Sequence, residues 1–243
     1  MSELETLARL IGGARVVDLA PVIENGMPLW PSHPPLVINP TRTHERDGYF
    51  CQTVFMAEHT GAHIDVPSHI HPSMMDHTVD VIPVDSLVAS ASVFDLKPLV
   101  LKPGDLVDAT TLKEVDGRNP ERLAAGDIAL IDYGWGPRYK VGAGWREFSE
   151  NAPGLSEDAV IWLRDKKVRA VGADTIACDQ PIRDGKVTQI SYGHDIHWLP
   201  NGIFILENLV NLDLLPGRVF FVALPLKIKG GSGSPLRPIA LIV

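Results

Sequence analysis

The chain has 243 residues, 45% of them apolar and 21% charged, with 21 glycines, 20 prolines and a formal net charge of −8. That length supports one substantial core, with two domains as the upper limit, and residues 1–243 are read as a single domain. The acidic balance and the absence of clustered Lys and Arg exclude a nucleic-acid surface, because phosphate binding depends on such clusters.

The acidic start, Met1-Ser2-Glu3-Leu4-Glu5, lacks the basic and apolar regions of a signal peptide, so a cytoplasmic protein is expected. Residues 3–11 alternate acidic and apolar positions as a short helix does, and Val16-Val17-Asp18-Leu19 reads as a strand. An irregular stretch follows, with Met27-Pro28-Leu29-Trp30-Pro31 and His33-Pro34-Pro35, where proline forbids regular pairing while large side chains call for burial. It is read as a loop packed against the functional site.

Further strand signals, rich in β-branched or aromatic residues, fall at 52–57, 91–96, 127–133, 168–173, 202–206, 218–224 and 237–243. Asp108 or Thr110 opens a helix through Leu112, and Ser156 opens another through Ala159-Val160-Ile161-Trp162-Leu163 to Lys167. The class is therefore β-rich α/β. Val219-Phe220-Phe221-Val222-Ala223-Leu224 is too short to cross a membrane, for which roughly 20 apolar residues are needed. The two cysteines, Cys51 and Cys178, form no CxxC pair, so any metal must be held by nitrogen and oxygen.

Five of the nine histidines lie between His59 and His77. In His59-Thr60-Gly61-Ala62-His63-Ile64-Asp65-Val66-Pro67-Ser68-His69 the i, i+4 pair suggests a helical zinc motif, but Gly61, Ile64, Val66 and Pro67 oppose a helix. On an extended chain His59, His63, Asp65 and His69 share one face. At about 3.3 Å per residue His59 and His63 then stand roughly 13 Å apart, too far for one ion held at about 2.1 Å from each ligand, so the chain must bend, and Gly61 permits it. His59, His63 and Asp65 form a two-His-one-carboxylate set that leaves positions open for water and substrate. In a second cluster, Ser191 to Leu209, Glu207 ends an apolar strand, where an acid is costly unless paired or metal-bound. Neither a G-x-S-x-G elbow nor a GxGxxG loop occurs.

The first segment resembles the HxGTHxDxPxH signature of the cyclase-like metal hydrolases, a family that includes bacterial kynurenine formamidase and isatin hydrolase. Trp30-Pro31 is similar to its aromatic-proline loop, Gly172-Ala173-Asp174-Thr175 to its GxDT, and Ile205-Leu206-Glu207-Asn208-Leu209 to its late acidic strand. Leu226-Lys227 through Gly231-Ser232-Gly233-Ser234-Pro235-Leu236-Arg237 is similar to its closing strand and loop. The resemblance implies a swivelling β/β/α fold with a β-barrel-like core and flanking helices, assembled as a homodimer or higher homo-oligomer. It also implies one or two divalent ions, Mn2+ or Zn2+, on His59, His63 and Asp65, with Asp65 able to bridge to a second. His69 is the implied catalytic base or acid. His194 or His197, His194 preferred, serves with Glu207 at the second ion. The chain departs from the pattern at Ala62, where Thr is usual, and at Ala177-Cys178, where Ser is more common.

The expected reaction is hydrolysis of the C–N bond of a small aromatic amide, with isatin-like ring opening favoured over cleavage of N-formylkynurenine. Trp30, Tyr49, Phe50 and Trp198 are the candidate substrate wall. Two other readings predict different behaviour: a metal-dependent lyase, isomerase or cyclase would consume no water, and a noncatalytic metal-binding module would tolerate loss of His69.

Overall fold

A computed structural model describes residues 2–243. Nine strands form one mixed sheet: β1 (Arg15–Asp18), β2 (His63–Asp65), β3 (Val88–Asp95), β4 (Ile128–Asp132), β5 (Ala170–Ala173), β6 (Phe204–Glu207), β7 (Arg218–Val222), β8 (Gly233–Pro235) and β9 (Ile239–Ile242). Across the sheet they run β1-β9-β7-β3-β4-β5-β6-β2-β8, curled into a half-barrel. β3 to β6 are mutually parallel and antiparallel strands flank them on both sides. A strand covered on both faces carries apolar residues throughout, and the five residues of β4, Ile-Ala-Leu-Ile-Asp, are all buried.

Alternation divides the interior into two cores. Ala129 and Ile131 of β4, Val171 and Ala173 of β5 and Ile205 of β6 pack with the helices, while Ile128, Leu130, Ala170, Leu206 and Ile64 form the other core with Val219 and Phe221. The helical layer is α2 (Ala109–Arg118) and α3 (Glu157–Asp165). Asp108 caps α2 by accepting the Thr111 N–H at 2.8 Å. α3 buries Ala159, Val160 and Leu163 on one stripe and carries Glu157 and Asp158 in its first turn, where the helix dipole favours acids.

The expected N-terminal helix is α1 (Glu3–Gly13), closed by a Ser2/Glu5 capping box, and it buries none of its residues: Leu4, Leu7, Leu10 and Ile11 are exposed. Each predicted strand overlaps an observed one, although Cys51–Phe55 belongs to a separate antiparallel ribbon with Val37–Arg42 instead of the main sheet. Val37–Arg42 carries no clear period and has no strand signal, whereas β8 falls in the stretch that the resemblance gave as closing strand and loop. No helix is long and apolar enough to cross a membrane.

Candidate metal centre and active site

The predicted bend is present. Gly61 has φ +64°, a left-handed conformation that L side chains rarely adopt, and it folds the chain so that the His59 and His63 rings lie 5.2 Å apart. Only His63–Asp65 is strand, and Pro67–His69 makes a 3-10 turn that returns His69 to within 4.0 Å of the His59 ring.

The sheet register then brings in the distant acid. β2 lies between β6 and β8, with His63 opposite Glu207 and Asp65 opposite Ile205, so His63, Asp65 and Glu207 share one face. His63 Nε2 is 3.4 Å from both Asp65 Oδ1 and Glu207 Oε2, and its Nδ1 hydrogen-bonds to the Gly61 carbonyl at 2.8 Å, turning Nε2 toward the acids. His194, on the π-helical turn Tyr192–His197, presents Nε2 at 3.3 Å from Asp65 Oδ2 and from Glu207 Oε1. His197 points elsewhere, to Arg164 and Glu157.

Three supports were missed in the sequence. Asp179, fully buried, accepts from His194 Nδ1 at 2.5 Å and from the Gly193 N–H at 2.6 Å. His71 Nε2 meets the His194 carbonyl at 2.9 Å, and the Cys178 N–H donates to Glu207 Oε1 at 3.0 Å. Asp174 of the GxDT segment serves the backbone instead: it accepts the N–H groups of Tyr133, Trp135 and Gly136, and burial together with the Asp132 charge pushes its carboxyl up to about 7. Its loop places Cys178 beneath Glu207.

Two carboxylates and two imidazoles are thus buried together, exposed by 5% or less, and among the described residues only imidazoles pair with either acid. Burial opposes charge on all four, yet neighbouring opposite charges prevail: Asp65 raises His63 to about 10, Asp179 raises His194 well above its usual range, His59 and His63 lower Asp65, and His194 and His63 lower Glu207. Ligand atoms of His63, Asp65 and Glu207, and separately of His59, Asp65 and His69, lie within 4.8 Å of one another. Nitrogen and carboxylate donors converging this closely, with two acids to balance positive charge, fit one or two divalent cations.

A cavity of about 260 Å³ opens over these groups, walled by Trp30, His33, Ile70, Ile176, Ala177 and Gln180. The irregular loop with Trp30 and His33 therefore does pack on the site. The other three aromatic candidates do not reach it. Trp198 is fully buried in the helical core, donating to the Val160 carbonyl, because the π-turn directs it under Gly193. Tyr49 and Phe50 are more than half exposed beside the peripheral ribbon.

The Cyclase family profile matches residues 17–180. The chain belongs to the cyclase family. Isatin hydrolase of Roseibium aggregatum is 29% identical over 97% of this chain and 95% of its own, and kynurenine formamidase of Salinibacter ruber is 26% identical over 92% and 96%. The solved structure of isatin hydrolase A from Ralstonia solanacearum superposes with TM-score 0.87 at 30% identity, covering 100% of this chain and 98% of its own. This cyclase-family chain shares with such relatives the curled sheet and flanking helices that the motifs led us to expect.

Proposed function

We propose that the whole chain, as a single domain, is a metal-dependent amidohydrolase that opens the lactam ring of isatin or a close aromatic analogue. The observation that carries this reading is the buried convergence of His63, Asp65, His194 and Glu207, with His59 and His69, beneath a cavity whose rim is aromatic and aliphatic. Full-length similarity to isatin hydrolases supports the lactam over the formamide of N-formylkynurenine. A divalent ion, Mn2+ or Zn2+, would be held by His59, His63 and Asp65, with His194 and Glu207 completing a second position. When bound it polarises the carbonyl and lowers the pKa of water toward neutrality.

The chain's residues supply positioning and proton transfer. Burial, against the pull of Asp65, lowers His69 to about 4, so its imidazole is neutral at pH 7 and able to accept a proton. His69 takes one proton from the attacking water as its oxygen bonds to the carbonyl carbon, then returns it to the ring nitrogen as the C–N bond breaks, leaving an aryl amine and a carboxylic acid whose remaining water-derived proton is released to solvent to give the carboxylate. Trp30, Ile70 and Ile176 offer the aromatic ring an apolar wall, and Gln180 offers an amide to a substrate carbonyl.

The bare face of α1 and the exposed Tyr49, Phe50 and Phe55 are apolar surface of the kind that oligomers cover, which supports a homodimer or larger homo-oligomer. The test is turnover of isatin and of N-formylkynurenine by metal-stripped protein reloaded with Mn2+ or Zn2+. Restored opening of isatin supports the reading, formamide cleavage alone transfers it to the formamidase branch, and failure of both with either metal overturns it.

A further inference from the structure

The Gly-Ser-Gly stretch preceding and entering β8 has no part in the chemistry above, yet it lies against the outer imidazole. Ser232 Oγ is 2.9 Å from His59 Nε2, and the same hydroxyl donates to Glu58 Oε2 at 2.8 Å. The Ser232 N–H donates to that carboxylate oxygen too, at 2.9 Å, and the Val66 N–H donates to the Ser232 carbonyl at 3.1 Å. The serine is therefore held on three sides. Its neighbours have to be glycine: a Cβ on Gly231 would stand 2.9 Å from Glu58 Oε1, and one on Gly233 would stand 2.5 Å from the Ile64 carbonyl oxygen and 2.6 Å from His59 Cε1.

The direction of this chain follows from its last member. A carboxylate can only accept, so the Ser232 proton points to Glu58 and the oxygen faces His59 with a lone pair. His59 Nε2 must then donate to that oxygen. Nδ1 is turned to Asp65 Oδ1, 2.6 Å away, an acceptor that would meet Nδ1 through a proton in the metal-free chain and through the cation once it is bound, so with Nε2 committed to Ser232 it is Nδ1 that serves as the ligand atom where Asp65 and His69 converge. We propose that Glu58 and Ser232 are positioning residues that fix the tautomer and ring orientation of His59 for the metal.

The assignment rests on the metal reading of the site. Neither residue touches the cavity, and both act through the imidazole, as outer hydrogen-bond partners of metal-binding histidines do. Glu58→Ala leaves the serine hydroxyl free to rotate and donate to Nε2, which would make Nδ1, against Asp65, the one proton-bearing nitrogen and block the ligand atom. Glu58→Gln keeps an oxygen to accept the hydroxyl, so the direction survives without the charge.

The experiment uses the full chain and zinc. Affinity is measured by competition with a chromophoric chelator for wild type, Glu58→Ala, Ser232→Ala and Glu58→Gln, and the His59 tautomer is read from long-range 1H–15N couplings in the zinc-loaded and zinc-free proteins. The expected result is a 10–100-fold loss of zinc affinity in the two alanine variants, with the Nε2–H pattern of wild type lost, and both properties largely retained in Glu58→Gln. A residue with only a structural role would shift melting temperature in Glu58→Gln and Glu58→Ala alike and leave the tautomer unchanged. Zinc binding by wild type with both alanine variants within twofold and the tautomer unaltered would overturn this assignment alone. Failure of wild type to bind zinc would overturn the metal reading with it.

Discussion

The inner and outer halves of the site are built differently. His63, Asp65 and Glu207 are strand residues fixed by backbone register, and His194 is locked by fully buried Asp179. His59, His69, Trp30 and His33 sit on turns and loops and remain half-buried. Strand positions tolerate little movement, because a one-residue slip would turn every side chain to the opposite core, whereas His69, Trp30 and His33 can move as substrate enters; His59 is the outer member tied down, through Ser232 and Glu58. The comparison suggests that the inner half, with His59, holds charge while His69, Trp30 and His33 handle substrate and protons, and substitutions in each should separate these tasks.

The largest effect is expected from Asp65→Asn, which keeps shape and removes the charge on which His59, His63 and His194 converge. Metal content measured by atomic emission should fall below half an ion per chain, and activity should be lost along with it. Full metal content would show that Glu207 suffices. In the outer half, His69→Ala should lower kcat by about 10²–10⁴-fold, the usual contribution of a general acid–base residue, while metal content stays within twofold of wild type. Loss of the metal instead would make His69 chiefly a ligand, as its convergence with His59 and Asp65 also allows.

The two tryptophans sharpen the contrast between site and core. Trp198→Ala removes a fully buried indole and should cost about 3–5 kcal/mol in denaturant unfolding. Trp30→Ala should leave unfolding nearly unchanged and raise KM for isatin about tenfold, roughly 1.4 kcal/mol of lost contact with the ring. Equal effects on stability would place Trp30 in the core.

The same division explains what could be read in advance. His59 to His69 are close in sequence, so period and the need for a bend at Gly61 were enough to anticipate a cluster. The parallel core strands were legible from apolar runs, and α2 from its Asp108 cap. The supports were not: Glu58 and Ser232 are 174 residues apart and Asp179 is 15 from His194, and nothing local marks either pairing. His194 could not be separated from His197 by spacing because a π-turn, which has no sequence period, decides which one faces the acids. Aromatic character alone misdirected the expected substrate wall, since Trp198 answers to packing under Gly193 and only Trp30 is carried to the cavity.

The smallest expected effect is a difference in how the two halves respond to pH. His63 is raised from 6.5 to about 10. Its stabilising contribution to the metal-free protein is therefore complete below pH 6.5 and is lost as pH rises through about 10. His69 is lowered from 6.5 to about 4, so its contribution is present above pH 6.5 and is lost as pH falls through about 4. Metal-free protein should accordingly melt at falling temperatures from pH 7 to 10, with His63→Gln flattening that limb, while His69→Ala flattens the acid limb between pH 6.5 and 4. Because a ligand imidazole must release its proton before it can bind a cation, zinc affinity should rise with pH over the alkaline range, and zinc binding in weakly buffered solution should release protons that calorimetry in buffers of different ionisation enthalpy can count. Proton release that is absent at pH 8 would mean that the inner imidazoles are already neutral there, and that the inner acids are held apart by something other than charged histidine.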